Sequence, residues 1–502
     1  MVYILYNHLF MKFSTLTISI FLSFCNFIYA QFPTDGQYQS IFTNATPEMP
    51  NYLNSVVDNT VPSPINIKRV TKYFEAWNWY PSLDYPKIQN WNADQSLYRI
   101  SSWKVFDAQT HKEVQDLPGG SIYPSSWSNT NPDLIYSFQE DGKIKKYFVA
   151  TNSIQTVDNI QGYEYIKLGP GEGNIDKNDN FVALVGKKGI DLDVIVYDLQ
   201  NLKIIHTETF EGAWAEGNRL GIAYPKYIDW VSISQSGDYI GIMWDHNATS
   251  KNNPFNTHYG VEIYNTSDMQ YLRRVAVYGN HGDFGYAANG DEVFVQFWGS
   301  TGTVNMYYLD RMERLVIATH SDFNGAGHLS CRNINRPGWT YLTQSSSAQS
   351  GQIIALKLDD SGIVEHFGHH FSSYANSNKV ALAVPSPNGD KVMFNSDFGD
   401  AANKDLAYIF EGTLASNLAV ENFNNTTFKL YPNPTKNNVI IESNHTINTI
   451  LIFNSIGQKI KTILDVNTLS TEINTEQLNE GVYFIKLTTN NGNYYSRKFV
   501  KN

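Results

Sequence analysis

From residue 31 to about residue 412, apolar and polar positions alternate in short runs that recur as a unit. Each unit opens on polar residues, passes through a short strand, turns tightly, and continues through further apolar strands. Two-residue alternation is the mark of strands with one buried face. The tight turns are Asn92-Ala93-Asp94-Gln95, Asn131-Pro132-Asp133, Lys177-Asn178-Asp179-Asn180, Ser236-Gly237-Asp238, Asn289-Gly290-Asp291, Arg336-Pro337-Gly338 and Asn388-Gly389-Asp390. A strand follows each at once: SLYRISS, LIYSF, FVALVG, YIGIMW, EVFVQFW, WTYLTQ and KVMFNS. Another follows in most units, as in DVIVYDL, GVEIYNT and VNMYYLD. Gly or Asn before Asp suits such a turn because its backbone needs positive φ. The turn markers Asp94, Asp133, Asp179, Asp238, Asp291, Gly338 and Asp390 are 39, 46, 59, 53, 47 and 52 residues apart. Blades of a β-propeller repeat at roughly 40 to 50 residues.

Seven units predict an all-β chain: a seven-bladed β-propeller over residues 65–412, preceded by a loop-like leader at 31–64. The stretch 69–80 (RVTKYFEAWNWY) is the expected partner of the last blade, closing the ring and covering otherwise exposed sheet edges. Six blades with an extra sandwich is the competing arrangement, since blades 1 and 2 carry the weakest turn signals. Residues 413–427 read as a linker. Beyond it, 428–502 alternates again between Pro, Asn and Gly turns, as in a small β-sandwich.

Composition narrows the setting. Hydrophobic residues make up 42% of the 502, charged residues only 17%, and aromatics 14%. That balance fits a folded, aromatic-rich extracellular β protein and excludes disorder over most of the chain. A formal net charge of −11 argues against nucleic acid as a partner, which needs clustered Lys and Arg. Residues 1–30 read as a secretory signal: a short basic region at Met11-Lys12, an apolar stretch, then Ala30 before Gln31. The ten residues ahead of Met11 lack a basic start, which points to Met11 as the true initiator. The apolar run is short for a bilayer span, so no transmembrane anchor is expected after cleavage. Phe24 before Cys25 argues against a lipoprotein signal. Removal of the signal leaves Cys331 alone, so stability must come from packing rather than a disulfide.

Two stretches resemble known families. In 428–502 the motifs Tyr431-Pro432-Asn433-Pro434, Asn454-Ser455-Ile456-Gly457-Gln458, LNEGVY at 478–483 and the final Lys498-Phe499-Val500-Lys501 occur in order. The segment resembles the C-terminal sorting domain read by the type IX secretion machinery of Bacteroidota. The resemblance implies export across the outer membrane with that machinery as partner, then cleavage and release or surface attachment. The strand pattern alone also fits a carbohydrate-binding or fibronectin-like appendage. Val384-Pro385-Ser386-Pro387-Asn388-Gly389-Asp390 with the strand after it resembles the blade signature of Tol-type propellers. It is also similar to the final blade of oligogalacturonate lyases, which are secreted seven-bladed propellers.

The first strand of each blade lines a propeller's channel. Counting back about ten positions from each turn collects Tyr85, Lys87, Tyr123, Glu172, Tyr227, Asp229, His281, Asp283, His328 and Lys379 around one polar funnel. His281 and His328 stand at the same phase of consecutive blades, each beside a Gly that lets the backbone approach closely. They are candidates for general acid/base work or for a divalent metal, with Tyr227 as proton donor. The lyase resemblance implies a histidine-rich channel site holding such a metal. Ala381 and Ala383 stand where a histidine would be expected in blade 7, and His369-His370 lie just upstream. Arg332 and Arg336, with Asp283, form the candidate substrate-binding set, because two guanidiniums can clamp a carboxylate or sulfate. Structural roles fit equally: the histidines as inter-blade hydrogen bonders, the arginines as ion pairs with Asp322 or Asp283.

Cys331 lacks the partners of a nucleophile. The DKNDN run at 176–180 lacks the Gly and terminal Glu of a calcium loop, and no phosphate loop or G-x-S-x-G elbow occurs. All ten Trp fall between Trp77 and Trp339; blade cores account for at least half. The expected function is a secreted or cell-surface propeller that binds an extracellular saccharide or protein ligand at the channel mouth. The alternative is a lyase or hydrolase acting on an acidic polysaccharide, with the arginines neutralising a uronate and a neutral histidine taking its α-proton.

Overall fold

The structure, a computed structural model, describes residues 46–75, 81–169, 173–219, 228–244, 258–277, 281–298, 302–319, 327–344, 351–373, 380–400, 408–414, 428–454, 459–464, 466–489 and 494–502. The predicted signal at 1–30 and most of the linker lie outside them. Among the described residues no helix is long and apolar enough to cross a membrane. The chain divides into two compact units, Met1–Ala415 and Ser416–Asn502.

The first unit holds seven antiparallel sheets. Blade 1 is Leu97–Ile100, Lys104–Asp107 and Glu113–Asp116, with Trp91 bridging Tyr98 at its inner side. Blades 2 to 6 are four-stranded and follow in chain order, from Ser125–Asn159 positions in blade 2 to Val364–His369 at the outer side of blade 6. The strand that begins blade 4 is Ile228–Ile233, blade 5 opens with Gly282–Tyr286, and blade 6 opens with Gly327–Ser330. Blade 7 is composite: Val384–Pro385, Lys391–Ser396 and Tyr408–Leu414 are extended by Ile65–Arg69 and Ser55–Asp58.

Closure therefore uses an earlier stretch than the 69–80 segment predicted for it. Ile65 and Ile67 alternate inward and are fully buried, and Ile65–Arg69 runs in register with Tyr408–Leu414. The outermost strand, Ser55–Asp58, lies within the 31–64 segment expected to be leader loop. The strand ends where Val70 N–H donates to the Ile409 carbonyl and the Thr71 hydroxyl accepts from Ile409 N–H, 3.0 and 2.8 Å.

Apolar side chains form one buried cluster between each adjacent pair of blades, including blade 7 with blade 1, where Val70, Trp91 and Tyr98 meet Val384, Met393 and Ile409. A closed ring follows, because every blade buries both faces. The predicted turns lie where expected, with positive φ at Gly290 (92°) and Gly237 (89°).

The second unit is all β. Its long strand Asn438–Asn454 pairs with Phe428–Tyr431 and Thr468–Asn474 along its first half, and with Lys459–Ile463 and Gly481–Thr489 along its second. One strand thus joins two layers around Val439, Ile441, Ile450, Ile452, Ile485, Leu487 and Phe499.

Candidate functional site

Before blade 1 the chain does not make an ordinary inner strand. Residues 83–91 cross the centre of the ring as a strap. Leu83 N–H donates to Asn395 Oδ1 of blade 7 at 2.8 Å. Pro86 O accepts from Ser330 Oγ of blade 6 at 2.6 Å. Lys87 Nζ lies 4.6 Å from the Trp230 ring of blade 4. Gln89 donates to the carbonyls of Arg332 and Pro385, and Asn90 O accepts from Trp127 Nε1 of blade 2. The Tyr85 hydroxyl is hydrogen-bonded to His281 Nδ1 of blade 5. A nine-residue segment reaches this many blades only by lying near their common axis.

Around Tyr85 the strap assembles a compact cluster. The His281 and His328 rings lie 4.3 Å apart, and the Tyr85 ring stands 6.1 and 5.6 Å from them, edge-on to His328. Lys87 Nζ is 5.4 Å from the Tyr85 ring centre, so the ammonium sits between Tyr85 and Trp230. Both histidines and Tyr85 are half-buried, and Lys87 is buried.

The glycines beside the histidines are there for space. A Cβ on Gly282 would meet the Phe294 ring at 2.3 Å, and one on Gly327 the Thr343 carbonyl at 2.5 Å. Burial pushes the His328 imidazole down to about 3, helped by His281 and Lys87, so it is neutral at any physiological pH. Its Nδ1 is buried and has no hydrogen-bond partner among the described residues. A neutral imidazole with an unmatched ring nitrogen, beside a Tyr–His hydrogen bond, can accept or relay a proton or bind a hydroxyl.

The predicted substrate-binding set faces the protein instead. Asp283 is fully buried and accepts from Arg332 Nε and Nη2 at 3.0 and 2.9 Å, and from Cys331 N–H at 2.8 Å. Arg336 Nη2 donates to Glu365 at 2.6 Å, its Nη1 donates to the Tyr341 hydroxyl, and its plane lies over Trp339. Both guanidiniums thus stitch neighbouring strands and blades. Cys331 is buried and its thiol is pushed up by burial, as suits a core residue.

Tyr227, Glu172 and Lys379 lie outside the described residues. Tyr123 and Asp229 are exposed, Tyr123 near Arg99. His369 pairs with Asp58 at 2.9 Å and His370 with the Gln344 carbonyl, both fully buried. Ala381 and Ala383 are buried as well. Among the described residues no three His, Cys, Asp or Glu side chains gather as a metal would require. With Asp283 held by Arg332 and His281 Nδ1 engaged by Tyr85, the described donors here do not fit a divalent ion.

Sequence reasoning placed Tyr85 and Lys87 in the funnel but on an inner strand, and it missed Trp230. The signal for a strap was the break in alternation around Pro81, Pro86 and Lys87.

Residues 429–502 match the family described as "Secretion system C-terminal sorting domain". The chain therefore carries a type IX sorting tail and is a secreted or cell-surface protein. The propeller is similar to a solved oligogalacturonate lyase from Vibrio parahaemolyticus, at 11% identity and TM-score 0.50, covering 77% of this chain and 99% of that one. It is also similar to an oligogalacturonate lyase in complex with manganese, at 10% identity and TM-score 0.52, covering 76% and 99%. At such identities the likeness shows the fold. No curated protein matches the chain.

Proposed function

We propose that the exported propeller binds an extracellular saccharide at the channel mouth, with Tyr85, His281 and His328 at the centre of the site. The observation that carries this reading is the histidine pair, 4.3 Å ring to ring with Tyr85 bonded to one member and a buried, unmatched nitrogen on the other. Tyr85, half-buried, adds an aromatic face on which a sugar ring can rest. Calorimetric titration with oligosaccharides from pectate, alginate and ulvan tests it. Binding is expected to weaken at least tenfold in His281→Ala and His328→Ala; equal affinity in both would refute the assignment.

The Tyr85–His281 hydrogen bond favours one further reading, a lyase acting on an acidic glycan. In such an elimination a base takes the proton α to the uronate carboxylate, a C=C bond forms, and the C4–O bond breaks. The departing oxygen then receives a proton from an acid. A Tyr–His pair supplies both proton-transfer groups. Hydrolysis by two carboxylates has less support, since Asp283 is committed to Arg332. Ultraviolet absorbance of the unsaturated product, present in the parent protein and lost in Tyr85→Phe, would establish this activity; absorbance undiminished in Tyr85→Phe would exclude the mechanism.

A further inference from the structure

The sorting unit shows more apolar surface than a small β-sandwich needs. Of the seventeen described large apolar side chains most open to solvent, six belong to it: Tyr431, Ile460, Leu464, Leu469, Val482 and Phe484. Two of these fall on one regular surface. In Gly481–Thr489 the side chains alternate, with Tyr483, Ile485 and Leu487 inward and Val482, Phe484 and Lys486 outward. The register continues this outer surface across both neighbours. Phe484 stands opposite Phe453 on one side and Lys498 on the other. Val482 stands opposite Val500, and Leu451 opposite Lys486. Directly opposed residues of adjacent strands share a face about 5 Å apart, so Leu451, Phe453, Val482, Phe484 and Val500 make one apolar patch. Val482 and Phe484 are 38% and 40% exposed, while Leu451, Phe453 and Val500 are half-buried.

Within the paired rows of the patch the described charges are basic, and the exposed Glu480 stands at its end, two residues before Val482. Lys486 and Lys498 stand within its rows. None of these paired rows contains Asp or Glu. The outward face of an ordinary sandwich is polar and mixed in charge, and a contiguous apolar patch rimmed by polar groups marks an interaction surface.

We propose that this face, centred on Phe484 between Lys486 and Lys498, is the surface by which the secretion machinery reads the sorting domain. Its partner is a protein surface with an apolar centre and a rim of carboxylates. The apolar side chains provide the buried contact area, and the lysines select an acidic rim and speed the encounter. The match of 429–502 to a sorting domain supplies the kind of partner, and the charge pattern supplies its chemistry. This inference is independent of the channel site, so the failure of either leaves the other standing.

The test uses the full chain, expressed in a bacterium that has this secretion system. Two changes are made separately: Phe484→Glu, and Lys486→Glu together with Lys498→Glu. Both alter outward side chains and leave Tyr483, Ile485, Leu487 and Phe499 in place. Each is expected to cut the amount reaching the medium or cell surface at least tenfold, while protease-resistant chain accumulates in the periplasm. Replacing both lysines by Arg, which keeps the charge, should leave export within twofold of the parent. Normal export of either folded variant would overturn the proposal. Should Phe484→Glu lose its protease-resistant fold, the lysine reversal decides alone. If instead the purified variants melt at lower temperature in the propeller transition, with export reduced only in proportion, the patch is covered by the chain's own body and the proposal fails.

Discussion

His281, just before the strand Gly282–Tyr286, and Asp283, on it, are two residues apart and play opposite roles. Alternation would aim both toward the channel, and from the sequence both looked like site residues. Asp283 instead takes two hydrogen bonds from Arg332 and one from Cys331 N–H, across the boundary between blades 5 and 6. Removing one member of a fully buried ion pair leaves the other charged and unsolvated, at a cost of about 3–5 kcal/mol. Asp283→Ala is therefore expected to lower unfolding stability by that order in urea denaturation. His281→Ala, at a half-buried position, should change it far less while removing ligand binding. Equal destabilisation by the two would mean that His281 is also structural. The sequence offered the ion pair with Asp283 as one of two equal roles for the arginines and could not choose between them, because the choice depends on where the Arg332 side chain points. His328 and the neighbouring Gly327 were legible, since a glycine beside a phased histidine implies a close backbone approach, here to the Thr343 carbonyl.

At the scale of elements, seven turns and the short apolar runs between them were enough to predict the blades, because six of the seven turns hold a residue at positive φ and the runs between them are short enough to be strands. The strap and the closing strands were not legible. Both are short, sit among prolines, and are fixed by contacts hundreds of residues away, such as Leu83 with Asn395 and Ile67 with Gly412. The seam they close carries a pH dependence. Glu411, opposite Lys68 and Met393 in blade 7, lies 3.8 Å from His111 of blade 1. Burial pushes its carboxyl up to about 7 against the pull of Lys391 and Lys68. The folded state thus holds this proton more tightly than the unfolded chain, whose carboxyl titrates near 4.5. Glu411 supports the fold most below that lower value, and the support is lost as pH rises toward and past 7, by about 3 kcal/mol in full. The urea midpoint of the parent should fall between pH 5 and 8 relative to that of Glu411→Gln. Parallel pH profiles for the two proteins would contradict this.

The whole molecule couples an export address to a ring whose centre is filled by its own chain. Deleting 428–502 should stop the protein reaching the medium or surface and leave folded propeller in the periplasm; undiminished export would refute the sorting role of the tail. For the propeller, the central claim is that a saccharide meets the Tyr85–His281–His328 cluster. The most direct measurement is histidine-resolved NMR of the full chain during titration with the pectate, alginate or ulvan fragment that binds. Shifts are predicted at His281 and His328, with His206, His258 and His445 unmoved and the pattern lost in Tyr85→Phe. Saturable binding that shifts other histidines and leaves that pair untouched would contradict the account.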